Sequence, residues 1–245
     1  MRSLEPGRVA CLAALPFLIL ASVAQAANFR VTPVRVNFDA EQRSEVVKLV
    51  NGGSDEVSVQ ADAVLWTQNE AGGDVYEATS DLLVVPRIFS IPPGETQVIR
   101  IGRLLAADPE RQGAYRVFFT ELAPPAEPGD TNGLKFRLRL GVPVFMAPVE
   151  EPQPQLSLVR TDRSAEGMEV VLTNDGQTHL QLLTLRSGRR IGRNAYQIEH
   201  PLGAYLLPGT TRRFLVPVPP DIRIDSFVVD TDVAGTMEYA ARPSN

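Results

Sequence analysis

The chain is poor in cysteine, histidine and tryptophan. Of its 245 residues, two are histidine, one is tryptophan and one is cysteine, Cys11. Because Cys11 lies in an apolar run at the N-terminus, the rest of the chain has no thiol, which excludes disulfides and cysteine nucleophiles there. A domain without disulfides must be stabilised by apolar burial, and this chain is long enough for that.

Recognisable catalytic and metal-binding motifs are also missing. His179 and His200 begin no HExxH or other ligand spacing, so we predict surface or turn histidines. There is no G-x-S-x-G motif and no glycine-rich phosphate loop. Asp230 and Asp232 alternate on an expected strand, where isolated acidic pairs are usually solvated. We therefore predict no enzyme, no catalytic residue, no cofactor and no bound metal.

The charge balance argues against nucleic acid as a partner. The formal net charge is −5, and the sequence pI is about 5.2, so the chain lacks the basic footprint that phosphate binding needs. Beyond the N-terminal run, no apolar segment is long enough to cross a bilayer. We expect no stable membrane insertion.

The first 26 residues read as a secretory signal peptide. Two arginines accompany the apolar run VACLAALPFLILASVA, and Ala24-Gln25-Ala26 forms an A-x-A cleavage pattern. A membrane anchor is the alternative, but the apolar core is short and is interrupted by Pro16. We expect cleavage after this pattern and a periplasmic or secreted protein.

The remaining chain consists of short alternating segments separated by turns, which predicts an all-β fold. Seven strands are expected before a proline-rich segment at 148–155, and a second series follows it. The first expected strand, Phe29 to Phe38, contains Pro33, which predicts an edge or a kink. We predict a signal peptide at 1–26, an immunoglobulin-like domain at 27–147, a linker at 148–155 and a β-sandwich domain at 156–245.

The most regular alternation lies in Leu134 to Met146, LKFRLRLGVPVFM. Apolar residues alternate with Lys135, Arg137 and Arg139, so the pattern predicts one strand with an apolar and a cationic face. Its length is about twice the usual five to six residues. A long strand with an apolar face requires a partner.

Several blocks of sequence resemble the periplasmic pilus chaperones of the chaperone-usher pathway, the PapD-like family. The blocks are RVNFDA, VVPRIFSIPPGETQVIRI and YRVFFTELAPP with the alternating stretch after it, together with TNDGQTHLQLLTL in the second half. The resemblance implies two immunoglobulin-like domains in a boomerang arrangement, a periplasmic location and a non-enzymatic role in pilus assembly.

The resemblance also implies partners, which are pilus or fimbrial subunits and an outer-membrane usher. Such subunits lack their last strand, and the chaperone completes them with a strand of its first domain. By position the donated residues are Leu134, Phe136, Leu138 and Leu140, with Val142 to Met146 packed within the first domain. The rival interpretation is that all of them pack the chaperone's own core. An exposed donor strand also leaves open a self-capping homodimer.

Family chaperones bind the C-terminal carboxylate of the subunit between their domains, through an arginine on the first strand and a lysine near the end of the long strand. Arg35 matches the arginine, but Pro143 occupies the lysine position. Arg116 resembles a feature of the archaic branch and is predicted to supply the second cation, since two guanidinium groups suit a carboxylate. Ordinary surface arginines are the alternative.

Two further departures affect the join between the domains. Gln112 and Ala147 occupy positions where the family has charged residues, while Asp232 matches the remaining acidic one. The expected ion network is therefore mostly missing. Either other pairs fix the domain angle, or the chain belongs to the archaic branch, which we favour.

Two other functions stay open at this point. One is a structural fimbrial or adhesin-type β-sandwich protein of the cell surface. The other is a β-sandwich enzyme or sugar-binding module, which the presence of only one tryptophan, Trp66, argues against.

Overall fold

The computed structural model describes residues 29–123, 137–191, 194–219 and 222–241. Within these ranges the chain is all-β and forms two sandwiches, as predicted. The expected signal peptide and residues 134–136 of the alternating stretch lie outside them. No helix in the described ranges is long and apolar enough to span a bilayer.

Ten strands of the described residues make up the first sandwich. They are β1 (Phe29–Thr32), β2 (Val36–Phe38), β3 (Ser44–Asn51), β4 (Val57–Gln68), β5 (Asp74–Ala78), β6 (Leu82–Val85), β7 (Ile88–Ile91), β8 (Thr96–Arg103), β9 (Gly113–Glu121) and β10 (Arg139–Met146). One sheet has the order β1-β3-β8-β6; the other has the order β2-β10-β9-β4-β5, with β7 pairing β4.

The chain changes sheets at Pro33. The expected first strand is divided there into β1, which pairs antiparallel with β3, and β2, which pairs parallel with β10. Since proline has no backbone N–H, it interrupts a ladder and is tolerated at sheet edges. Both pieces are edge strands, so the predicted edge position is confirmed.

The alternating stretch forms a shorter strand than the pattern predicts. β10 begins at Arg139, although the carbonyl of the preceding Leu138 still accepts the Glu121 N–H at 2.9 Å. Val142, Val144 and Met146 pack in the core between the two sheets, as predicted. The opposite face carries Phe145, which is buried against the second sandwich.

In the second sandwich, the described part of the chain forms seven strands. They are β11 (Leu156–Ser164), β12 (Gly167–Asn174), β13 (Leu180–Ile191), β14 (Asn194–Leu206), β15 (Thr211–Val216), β16 (Ser226–Thr231) and β17 (Thr236–Ala240). Their sheets have the orders β11-β12-β15 and β14-β13-β16-β17, and a separate apolar core lies between them.

The segment from 147 to 155 contains no strand and is held from both sides. The Val149 N–H donates to the Asp108 carbonyl at 3.0 Å, and the Gln155 carbonyl accepts the Asp175 N–H at 2.9 Å. Each sheet takes all its described strands from one side of this segment. The exact limits of the two domains and of the linker are our proposal.

In the described part of each sandwich, a buried asparagine lies at the end of a strand. The Asn51 amide donates to the carbonyls of Asp55 and Ile91 at 2.7 and 2.9 Å. Asn174 likewise donates to Thr178 and Leu206 at 2.8 and 2.9 Å. In both, the side-chain oxygen accepts the N–H two residues later. One amide therefore satisfies two backbone groups of the following turn and one carbonyl of a distant strand.

We expect Asn51→Ala and Asn174→Ala each to lower the free energy of unfolding by about 2–3 kcal/mol, because buried carbonyls lose their donors. Denaturant unfolding of the two variants measures this loss. Asn69→Ala is the matched control: Asn69 also accepts two turn N–H groups, but it is exposed, and we expect a loss below about 1 kcal/mol. Equal losses in all three variants would contradict the role of burial.

Candidate functional site

The predicted site residues that the structure describes lie on or next to β10 and at the junction of the two sandwiches. Leu138 and Leu140 are half-buried, and Leu140 packs against the core of the first sandwich. Leu134 and Phe136 lie outside the described residues. Donation of these four side chains stays a prediction.

One edge of β10 is only partly paired. On one side β10 pairs with β9 along its whole length, whereas on the other side β2 pairs only with Val144–Met146. Among the described residues, no strand pairs with the outer edge of β10 from Arg139 to Pro143. A row of unpaired backbone groups is a template for another strand.

The direction of these backbone groups follows from the ladder. Because the Glu121 N–H donates to the Leu138 carbonyl, the positions bonded to β9 are the even-numbered ones. Arg139, Gly141 and Pro143 therefore direct their backbone groups toward the open edge. Because the backbone of Pro143 faces away from β9, its missing N–H removes no hydrogen bond from that ladder. Pro143 also ends the row of N–H donors that face the open edge.

Arg116 lies directly across the ladder from Pro143. Side chains that face each other across two strands share a face of the sheet, so the Arg116 cation stands beside the position where the family has its lysine. Its Nη1 donates to the Tyr76 hydroxyl at 2.6 Å, and its Cζ lies 4.1 Å from the centroid of the Trp66 ring. Burial raises the pKa of Tyr76, which keeps that hydroxyl protonated.

Arg35 lies just before β2 and is bonded to the second sandwich. Its Nη1 donates to Asp232 Oδ2 at 2.5 Å and lies 3.5 Å from His179 Nε2. Burial alone would lower the pKa of Arg35, but the hydrogen bond and the charge of Asp232 outweigh it and raise the pKa. The Arg35 side chain remains 31% exposed.

The prediction of a solvated acidic pair is wrong for Asp232. Its side chain is only 13% exposed, and its Oδ1 accepts the Gln181 N–H at 2.8 Å. The carboxylate is tolerated there because a cation from the other sandwich faces it. Asp230 is also engaged, with Arg186 at 2.7 Å.

The prediction of a surface histidine is wrong for His179, which lies in the connection between β12 and β13 but is only 4% exposed. Its ring stacks on Phe145 with 3.5 Å between centroids, and its Nδ1 lies 2.7 Å from Gln112 Oε1. Burial lowers its pKa from 6.5 to about 4; Asp232 opposes this shift and Arg35 adds to it. The imidazole is therefore neutral at pH 7. His200 is half-buried on β14.

An aromatic cluster joins the two sandwiches. Trp66 and Phe145 come from the first, and Tyr205 and Leu207 come from the second; the rings of Trp66 and Tyr205 meet edge-on at 5.3 Å. Arg116 borders this cluster at Trp66, and Arg35 borders it beside His179. The two predicted cations thus lie at the domain junction.

Neutral hydrogen bonds take the place of most of the expected ion network. Gln68 donates to the Tyr205 carbonyl at 2.9 Å and accepts the Leu207 N–H at 3.0 Å. Gln112 Oε1 also accepts the His179 N–H at 3.0 Å. Hydrogen bonds of Gln68 and Gln112 therefore join the two domains in place of the expected charged pairs. Arg35 and Asp232 add one ion pair between the domains. Within the described ranges, no group of acidic, histidine or cysteine side chains is arranged to hold a metal.

The family described as pili and flagellar-assembly chaperone, PapD N-terminal domain, matches residues 28–151. The chain belongs to this family. The resemblance noted in the sequence is thereby confirmed, and the role that defines PapD-like members is that of a chaperone in pilus assembly. A search of the curated proteins finds no match.

Several solved structures of pilus chaperones are similar to this PapD-like chain. The CsuC–CsuE chaperone–tip adhesion subunit complex of the archaic Csu pili of Acinetobacter baumannii matches with a TM-score of 0.65 and 18% identity, over 89% of this chain and 100% of that chain. The Salmonella enterica SafB chaperone in complex with the SafA pilin matches with a TM-score of 0.58 and 16% identity, over 88% of this chain and 97% of that chain. The CupB2 chaperone of Pseudomonas aeruginosa matches with a TM-score of 0.56 and 17% identity, over 87% of this chain and 100% of that chain. At these identities the likeness shows a shared fold.

The depressed pKa of His179 predicts that acid weakens the fold. The unfolded chain binds this proton near pH 6.5, but the folded chain binds it only near pH 4, so stability is lost as the pH falls through that window. Unfolding measured at several pH values should show a loss of about 3 kcal/mol, which His179→Gln should largely remove.

His200→Gln is the control, since burial lowers the pKa of that half-buried ring as well. His200→Gln should reduce the pH dependence of unfolding much less than His179→Gln does. In NMR titrations of the folded chain, the His179 ring should titrate at a lower pH than the His200 ring. Equal effects of the two variants would contradict a special role for His179.

Proposed function

We propose that this protein is a periplasmic chaperone that binds pilus or fimbrial subunits by donor-strand complementation and delivers them to an outer-membrane usher. The observation that carries the proposal is the open edge of β10 from Arg139 to Pro143. A subunit that lacks a strand can pair with this edge, since β10 is already held on its other side by β9.

The side chains of β10 support this arrangement. Leu140 shares a face with Val142 and Val144, which pack in the first core. A subunit sheet that continues from the open edge has its own interior next to that face, so Leu138 and Leu140 contact both proteins. Each such side chain contributes about 1.5–3 kcal/mol when fully buried, before the costs of ordering. Leu134 and Phe136, which lie outside the described residues, extend the same alternation.

Arg35 and Arg116 are the proposed anchor for the C-terminal carboxylate of the subunit. Asp232 bonds to only one nitrogen of Arg35, and a guanidinium presents five donors in a planar fork. Arg35 can therefore bind a second carboxylate while it holds the domains together. Arg116 provides the other cation beside Pro143.

The similar solved structures support the same partners. One contains a chaperone with a tip adhesion subunit from an archaic system, and another contains a chaperone with a pilin. By analogy, we assign pilus subunits as clients of this chain and place the chain in the archaic branch. In the absence of a client, the same open edge can pair with a second copy, so a self-capping homodimer is part of the proposal.

The donor strand is tested by co-expression with a pilin-like subunit in the periplasm. Leu138→Asp places a charge where the client must bury an apolar group, and we expect recovery of the subunit to fall at least about tenfold. Val98→Asp is the matched control, because Val98 lies on β8 of the same sandwich and is 49% exposed. Unchanged recovery with a folded Leu138→Asp variant would exclude strand donation.

The anchor requires a variant that separates the two roles of Arg35. Arg35→Glu alone breaks the ion pair with Asp232 and should lower both domain stability and client recovery. The exchange Arg35→Glu with Asp232→Arg restores an ion pair between the same positions, but an arginine at 232 cannot accept the Gln181 N–H. We therefore expect thermal unfolding between that of Arg35→Glu and that of the wild type, with client recovery as low as in Arg35→Glu. Full client recovery in the exchanged variant would show that Arg35 only joins the domains.

A further inference from the structure

We propose that Arg139 selects clients by charge, by pairing with an acidic side chain on the client strand that occupies the open edge of β10. This inference rests on the proposed function, because it assumes that a client strand pairs there. It adds a specificity-determining residue outside the apolar face and outside the carboxylate anchor.

The position of Arg139 places it beside that strand. Its side chain is on the face opposite Leu140 and Val142, together with Gly141 and Pro143. Directly opposite side chains on neighbouring strands have Cβ atoms about 4.5–5.5 Å apart, and opposite charges there stabilise the pair. A client strand on the open edge must therefore place one of its side chains next to Arg139.

Aromatic rings hold the Arg139 side chain in place. Its Cζ lies 3.8 Å from the centroid of the Phe118 ring, a cation–π geometry. Phe118 is itself 8% exposed and meets Tyr76 edge-on at 5.2 Å. A guanidinium that is already held over a ring loses less conformational entropy when it binds a carboxylate.

Gly141 provides the space for this arrangement. A Cβ at Gly141 would lie 2.9 Å from Phe118 Cε1 and 3.0 Å from Arg116 Cδ. The backbone of Gly141 has no positive φ, so the requirement for glycine here is room rather than conformation. Without a side chain at this position, Phe118 can lie over the strand and beneath Arg139.

The charge of this edge is not neutralised within the described part of the chain. Arg139 is exposed, and its guanidinium contacts the Phe118 ring. None of the ion pairs among the described residues includes Arg139. Arg137, two positions earlier, is exposed as well. In a chain with a net charge of −5, this is a local cationic edge, and it is complementary to an acidic client strand.

The test uses strand peptides of about nine residues in which valine alternates with glutamate, serine or lysine. Each is added to the folded chain, and binding is followed by NMR at the backbone amides of Arg139 and Gly141. We expect the glutamate peptide to bind at least about threefold more tightly than the lysine peptide. Arg139→Glu should reverse this order. Gly141→Ala, which displaces Phe118, should weaken the discrimination.

Arg100→Glu is the matched control, since Arg100 is an exposed arginine on β8 of the other sheet and its replacement changes the net charge equally. It should preserve the order of the peptides. If the peptides shift the two amides but bind equally, or if Arg139→Glu leaves the order unchanged, charge selection is wrong and the open edge stands. If no peptide shifts these amides, the open edge itself is wrong, and the inference falls with it.

Discussion

The structure depends on the way β10 is paired. Its full ladder with β9 fixes the strand in the first sandwich, and the short parallel pairing with β2 covers only its last three residues. The strand is therefore paired along one side and, among the described residues, unpaired on its other side from Arg139 to Pro143. Strand donation needs both properties, because a flexible segment would pay a large ordering cost on binding and a fully paired one would have no free backbone groups.

Pro143 is compatible with both properties. Its missing N–H faces away from β9, so the ladder is intact, and Arg116 across the ladder supplies a cation next to it. The resemblance places a lysine at this position, and here a positive charge lies on the neighbouring strand instead. Trp66 and Tyr76 contact that guanidinium.

At the junction of the two sandwiches, hydrogen bonds and ring stacking between neutral groups replace most of the ion pairs that the sequence led us to expect. His179 is stacked on Phe145 and bonded to Gln112. These contacts bury the imidazole, and burial lowers its pKa and so favours its neutral form. The ion pair between Arg35 and Asp232 remains partly exposed, which limits its desolvation cost. Under the proposed anchor, the same arginine would serve both the second sandwich and a client carboxylate.

The sequence by itself determined the strand-rich fold, the position of the proline-rich segment and the two faces of β10. These follow from alternation with a period of two, which is a property of the local backbone and can be read from neighbouring residues. Even so, β5 and the first half of β14 were not predicted, because DVYEA and NAYQIEH lack a clear apolar alternation.

Only the tertiary structure decided which edge of β10 stays open and which side chains meet at the junction. Gln112 and His179 are 67 residues apart, and Arg35 and Asp232 are 197 apart, so no local pattern marks them as partners. A lone histidine just before a strand, such as His179 before β13, is equally compatible with solvent and with a buried stack. Its neighbours depend on how two separately folded sandwiches pack, which is a long-range property of the chain.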